Sequence, residues 1–259
     1  RGEMTQTVPT PPNLLAWVQK QKLLASDSEA GDAFGGPELF FPLKETALSS
    51  DGRILAVAAS GEDPAGLTKA GSVYIFVSGS GGYQEVQKLT ASFGTDGLPE
   101  VSPQGDRFGN SLSISSTGET LVVGSFRDDE NDTGAAYVFQ SGSAGYQQIQ
   151  KLTASFGTDG LPKVDPTNDW FGVSVTISSN GEIIAVGAHV DEEASTGGGA
   201  AGSVYIFASG SGGYQQVQKL TASFDTNGLP EVPSSRTFGR HTAFSLTGEI
   251  LAVGAYFDQ

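Results

Sequence analysis

Cysteine is absent from the 259 residues. No disulfide staples this chain, and it offers neither a thiolate metal site nor a thiol nucleophile. The compartment stays open, because an extracellular chain of this size buries enough core to do without bridges. Histidine is nearly absent as well, with only His189 and His241. Each stands alone and unrepeated, which reads as a structural or exposed residue rather than a general base. No apolar run approaches the roughly 18 residues that a membrane-spanning helix needs. There is no Gly-x-Ser-x-Gly nucleophile elbow. Positive charge is scarce: 14 Lys and Arg face 29 Asp and Glu, for a net charge of −15. Nucleic acid and anionic membrane are poor partners for such a surface, whereas cations and basic proteins are good ones. No signal peptide is visible and the chain opens on Arg1. This is expected of a processed start or of a piece of something longer.

What the chain does have is repetition. Gln-Lys-Leu-Thr-Ala-Ser occurs at 87–92, 150–155 and 218–223, with Gln-Lys-Leu-Leu-Ala-Ser at 21–26, so the copies are nearly evenly spaced. Gly-Ser-Val-Tyr-Ile-Phe at 71–76 becomes Gly-Ala-Ala-Tyr-Val-Phe at 134–139 and returns at 202–207. Phe-Gly recurs at Phe108, Phe171 and Phe238, each followed at one constant interval by Gly124, Gly187 or Gly254. A period this long means one supersecondary unit per repeat, each burying its faces against its neighbours.

The third copy shows the unit. Residues 170–178 alternate as a strand, and Ser179-Asn180-Gly181 is a tight turn. Residues 182–188 form a nearly continuous apolar strand, and an acidic, glycine-rich loop follows over 189–201. Ser203-Val-Tyr-Ile-Phe is a third strand, and Tyr214 to Ala222 a fourth. The expected fold is all-β: a β-propeller of four-stranded antiparallel blades. The repeats divide as 27–92, 93–155, 156–223 and a partial 224–259, after an N-terminal segment 1–26. In that segment residues 3–8 and 14–23 are expected as the third and fourth strands of a blade. They either close a four-bladed ring or belong to a preceding blade of a larger propeller. The second reading is preferred, because an unclosed ring exposes strand edges.

Phe-Gly, a strand, a turn and Val-Gly-Ala together resemble the FG-GAP repeat of integrin α-subunit propellers, over about 27–259. The resemblance implies a propeller, usually seven-bladed, on an extracellular or cell-surface protein. Departures stand beside it. The Pro of "GAP" is replaced by Phe126, His189 and Tyr256. In the first copy, Phe34-Gly is displaced by about eight positions. The calcium loop that integrin-type repeats carry between their first two strands is replaced by turns such as Ser-Ser-Asp-Gly, too poor in carboxylates for calcium. The family's calcium sites therefore do not carry over.

Propeller topology sends the second-to-third loops and the inter-blade loops to one face, and most of the acidic residues fall in those loops. Calcium is the candidate cofactor there. Its ligands would be Asp128, Asp129, Glu130 and Asp132, with the pairs Asp96/Asp106 and Asp159/Asp169. The bland alternative is a solvated acidic rim. Asp32 and Asp106 stand in Asp-x-Phe-Gly, with Asp169 read as one residue off that register, and all three could simply cap backbone N–H groups. Asp191, Glu192 and Glu193 form a second acidic loop read as a binding surface. Asn131 heads the only Asn-x-Ser/Thr sequon. Tyr74, Tyr137 and Tyr205, with Phe108, Phe171 and Phe238, read as inter-blade core.

The expected function is non-enzymatic. The chain reads as an extracellular or cell-surface module for adhesion or protein assembly through its acidic loop face, with a protein or glycan partner. Two alternatives are a carbohydrate-binding or carbohydrate-active propeller and a structural block that self-assembles through open blade edges.

Overall fold

The computed structural model describes residues 19–36, 44–63, 68–91, 105–128, 132–155, 168–191, 202–222 and 237–255. They form an all-β propeller whose described regular elements are strands. The first blade is β1 (Thr46–Leu48), β2 (Ile54–Ala59), β3 (Ser72–Gly79) and β4 (Gly82–Leu89). The second is β5 (Ser111–Ile114), β6 (Thr120–Ser125), β7 (Ala135–Gly142) and β8 (Gly145–Leu152). The third is β9 (Phe171–Ile177), β10 (Ile183–Ala188), β11 (Ser203–Gly210) and β12 (Gly213–Leu220). A two-stranded sheet, β13 (His241–Phe244) and β14 (Leu251–Gly254), begins the fourth. Strand order within each blade follows the chain, all antiparallel.

Local chemistry builds each blade. The β1–β2 corner is closed by Ser49, whose N–H donates to the Ile54 carbonyl while its Oγ accepts from the Ile54 N–H at 3.0 Å. Gly52 sits at φ 69°, where only glycine is unstrained. Ser115 and Ser178 make the same corner in the next two blades. In the three complete blades the second strands are largely buried on both faces, as in Val122 and Val186, whereas outer strands alternate between buried and exposed residues. Each third-to-fourth strand pair slips register in its middle, at Ile75/Phe76, Val138/Phe139 and Ile206/Phe207. Such bulges add twist, which a propeller blade needs.

Blades meet through backbone as much as side chains. A Cβ on Gly134 would run into the carbonyl oxygen of Phe171, and one on Gly202 into that of Phe238. The Phe-Gly motif is therefore a docking edge that requires a glycine on the blade before it. The Phe ring itself packs edge-on against the Tyr and Phe of its own blade's third strand: Phe108 with Tyr137 and Phe139, Phe171 with Tyr205 and Phe207. At the outer rim the Gln87 side-chain amide mimics a peptide group. Its Oε1 accepts from the Tyr146 N–H and its Nε2 donates to the Tyr146 carbonyl, both at 2.8 Å. Gln150 clamps Tyr214 in the same way.

Three expectations need correction. Residues 19–25 form no strand with the described residues. Gln21 nonetheless clamps Tyr83 and Ser26 bonds Glu85, so this segment occupies the outer-strand position against the first blade. The rest of 14–23, and 3–8, lie outside the described residues. Phe34 is displaced in sequence but not in space. It bridges Ala59 and stacks on Tyr74 and Phe76 as Phe108 does on its partners, so the extra positions fall between Gly35 and Lys44. Asp169, like Asp32 and Asp106, stands two positions before its Phe, in strict register.

Candidate binding surface

In the three complete blades the acidic residue three positions after the second strand is buried rather than offered to solvent. Asp128 and Asp191 are 2% and 0% exposed, and Glu62 is 6% exposed. Each meets the Tyr of β3, β7 or β11 and the Lys of the Gln-Lys-Leu motif. The Tyr205 hydroxyl donates to Asp191 at 2.6 Å, and Lys219 Nζ lies 3.0 Å from the same oxygen. Tyr137 and Lys151 hold Asp128 likewise. In the first blade Tyr74 and Lys88 hold Glu62, and Asp27 joins them. The ammonium sits 5.2–5.4 Å from the Tyr ring centroid in all three blades, adding a cation–π contact. Three repeated words in the sequence thus converge on one buried carboxylate–tyrosine–lysine cluster per blade.

The charges respond to this. Hydrogen bonds from Lys88 and Tyr74 hold Asp27 below the usual carboxylate range. Burial opposes the charge on Lys88, but its hydrogen bonds to Asp27 and Glu62 outweigh that and raise it. Burial, then the same two carboxylates, push the Tyr74 phenol far up, so it remains a donor at any physiological pH.

Asp128 therefore spends its oxygens on Lys151 and Tyr137, and Asp191 on Lys219 and Tyr205. Asp106 and Asp169 are also buried, at 2% and 3% exposed. They stand just before the Phe-Gly docking edge. The equivalent Asp32 accepts from the Glu29 N–H, the capping role its position suggests. Asp132 lies at φ 51° ahead of β7. Asp96, Asp129, Glu130, Asn131, Asp159, Glu192 and Glu193 lie outside the described residues. Among the described residues no three His, Asp or Glu side chains gather where they could hold a metal ion. The first-blade hairpin turn also keeps its acid occupied: Asp51 accepts from Ser49 and from the Arg53 N–H. The Tyr hydroxyls and Lys ammoniums of the clusters escaped the sequence reading. The available signal was that carboxylate, Tyr and Lys keep one spacing relative to the strands in all three copies. No described helix is long and apolar enough to cross a membrane.

The family model of the FG-GAP repeat matches residues 83–139 and 146–207, in agreement with this architecture. Among solved structures, TolB from Acinetobacter baumannii is similar at a TM-score of 0.40 and 12% identity, covering 82% of this chain. The chain spans 37% of that protein's length. A search of curated proteins by sequence finds no match.

Proposed function

Because this chain is built of FG-GAP repeats, we propose that it is a non-catalytic binding module of an extracellular or cell-surface protein, working through the loops of its acidic face. One observation carries the reading. The repeated Phe-Gly, Val-Tyr and Gln-Lys-Leu words, and the acids three positions past the second strands, are spent on packing within blades and on the joints between them. The second-to-third strand loops, by contrast, differ in length and sequence between blades, and variable loops on a rigid scaffold are where recognition resides. The partner is a basic protein surface or a glycan. Calcium, if used, would be held by the acids of the remaining loops, Asp96, Asp159, Glu192 and Glu193 among them, since Asp128 and Asp191 are already paired.

The test is bead binding at physiological salt against basic proteins and against neutral and acidic glycans, with calcium or with EDTA. Neutralising Asp96, Asp159, Glu192 and Glu193 together should abolish capture, whereas Arg53→Gln on the opposite turns should not. Shortening of a glycan during incubation would instead identify an enzyme. A second reading, self-assembly through blade edges, is favoured by Val86, Ile149 and Val217. These stand 59%, 48% and 57% exposed at one equivalent position on the outer strands. Concentration-dependent oligomers that V86T/I149T/V217T dissociates would support it.

A further inference from the structure

The residues that break the repeat are not scattered. Position 44 in the first blade corresponds to Asn110, Val173 and Arg240 in the others, by the register of the inner strands. Two of these four are cations. His241 replaces Ser111 and Ser174, and His189 replaces Phe126. Lys44, Arg240 and His241 line a single concavity with Ser111, Ser174 and Thr242, where the inner strands of four blades converge. The chain carries 29 acids and 14 Lys and Arg. Even so, no carboxylate is described among the residues lining this cavity.

Positive charge is concentrated here. Burial lowers the Lys44 ammonium, and among the described residues no acid offsets that shift. Burial, then the charge of Arg240 and the proximity of His241, push His189 down to about 4. The His189 Nδ1 is buried with no hydrogen-bond partner, on a residue 4% exposed. His189 in turn stacks edge-on with Trp170 at 5.3 Å, and the Arg127 guanidinium lies over the same indole at 6.0 Å. Burial, then the nearby Arg127 charge, lowers Arg107. Lys44, Arg240 and His241 are the basic residues that line the cavity itself, with His189 and Trp170 packed beside them. The hydroxyls supply polarity but not spare donors: Ser111 donates to the Gly172 carbonyl at 2.9 Å and Ser174 to the Gly239 carbonyl at 2.7 Å.

We propose that this axial concavity binds a small oxyanion group, a carboxylate or sulfate, between Lys44 and Arg240. Its volume is about 90 Å³. That suits such a head group and falls far below the ~300–1,000 Å³ of a site for a drug-sized ligand. The group could be a free anion or the acidic substituent of a sugar chain. The proposal is independent of the loop-face reading above, because it uses none of the loop acids.

The experiment is calorimetric titration of the intact chain with sodium sulfate, and separately with trigalacturonate, at ionic strength held constant with chloride. Saturable binding of either is expected. Lys44→Gln and Arg240→Gln should each weaken it about tenfold or more, the loss of one charge-assisted contact, while Arg53→Gln leaves it unchanged. Sulfate alone binding identifies a free anion, trigalacturonate alone an acidic glycan, and mutual competition the shared head group. Amide chemical shifts in 110–112 and 240–242 should move on titration. This second readout localises the site without any variant. No saturable binding, or binding equally weakened by R53Q, would overturn the proposal.

Discussion

Removing Lys219 isolates the energetic role of the buried clusters. In the third blade its side chain and that of Asp191 are each 0% exposed, and Tyr205 donates to the oxygen that the ammonium contacts. Lys219→Met retains most of the packing of the stem but strands a buried carboxylate. Breaking a buried pair in this way costs about 3–5 kcal/mol. For a chain of this size each kcal/mol moves the midpoint by roughly 2–4 °C, so a fall of about 6–20 °C is expected. The first blade supplies the control. There Lys88 is 27% exposed and shares its charge between Glu62, 8% exposed, and Asp27, 51% exposed, so solvent reaches the cluster and screens it. Lys88→Met should cost clearly less than Lys219→Met, despite the shared motif. The assay is urea unfolding followed by far-ultraviolet dichroism, with thermal scans in parallel. Adding Asp191→Leu to Lys219→Met should recover much of the loss, because replacing both members of a buried pair with apolar residues is often near neutral. Equal costs for K219M and K88M, or no recovery in the double variant, would refute this account.

Three further outcomes are expected. Gly134→Ala should destabilise by several kcal/mol, about 3 or more, since its Cβ would meet the Phe171 backbone at φ 82°, while Gly81→Ala, with nothing within 4 Å, should be near neutral in the same urea assay. Burial raises Glu45 to about 7 against an ordinary 4.5, so the folded state holds its proton more tightly than the unfolded one. Stability should therefore fall as pH rises from about 4.5 to about 7, by on the order of 3 kcal/mol, and Glu45→Gln should flatten that limb. His189 carries the opposite sign: depressed to about 4 from 6.5, it contributes stability that is complete above about 6.5 and lost as pH falls toward 4. His189→Phe, the residue the second blade uses there, should remove that acid-side loss in the same pH series.

Much of the blade was legible because its signals are local. The Ser-x-x-Gly corners, the apolar second strands and the alternating outer strands each follow from residues within a few positions of one another. What stayed hidden depends on distance. Asp128 meets Tyr137 on the third strand of its blade and Lys151 on the fourth, so its loop position made it look like a surface ligand. The segment 19–25 has the sequence of an outer strand and carries the Gln21 clamp, yet it makes no ladder with the described residues. Phe34 shows the converse. The extra positions after it disturbed its spacing, yet the aromatic pocket formed by Tyr74 and Phe76 selects the ring wherever the loop delivers it. The axial cations were visible only as departures from the repeat, with no sequence clue that the departures share one place.

The glutamine clamp and the glycine-to-Phe contact share a polarity: each blade presents a Gln and a Gly on one side and a Tyr and a Phe-Gly on the other. This is a head-to-tail joint, the heterologous kind that closes into a ring or runs on as a spiral according to the rotation per step alone. The joint does not encode how many blades follow. Duplication or loss of one whole repeat would leave every remaining interface chemically intact. Blade number in such a chain is therefore set by the accumulated angle between sheets, and a small rotation at the Gly134–Phe171 contact weighs more on ring size than any side chain does.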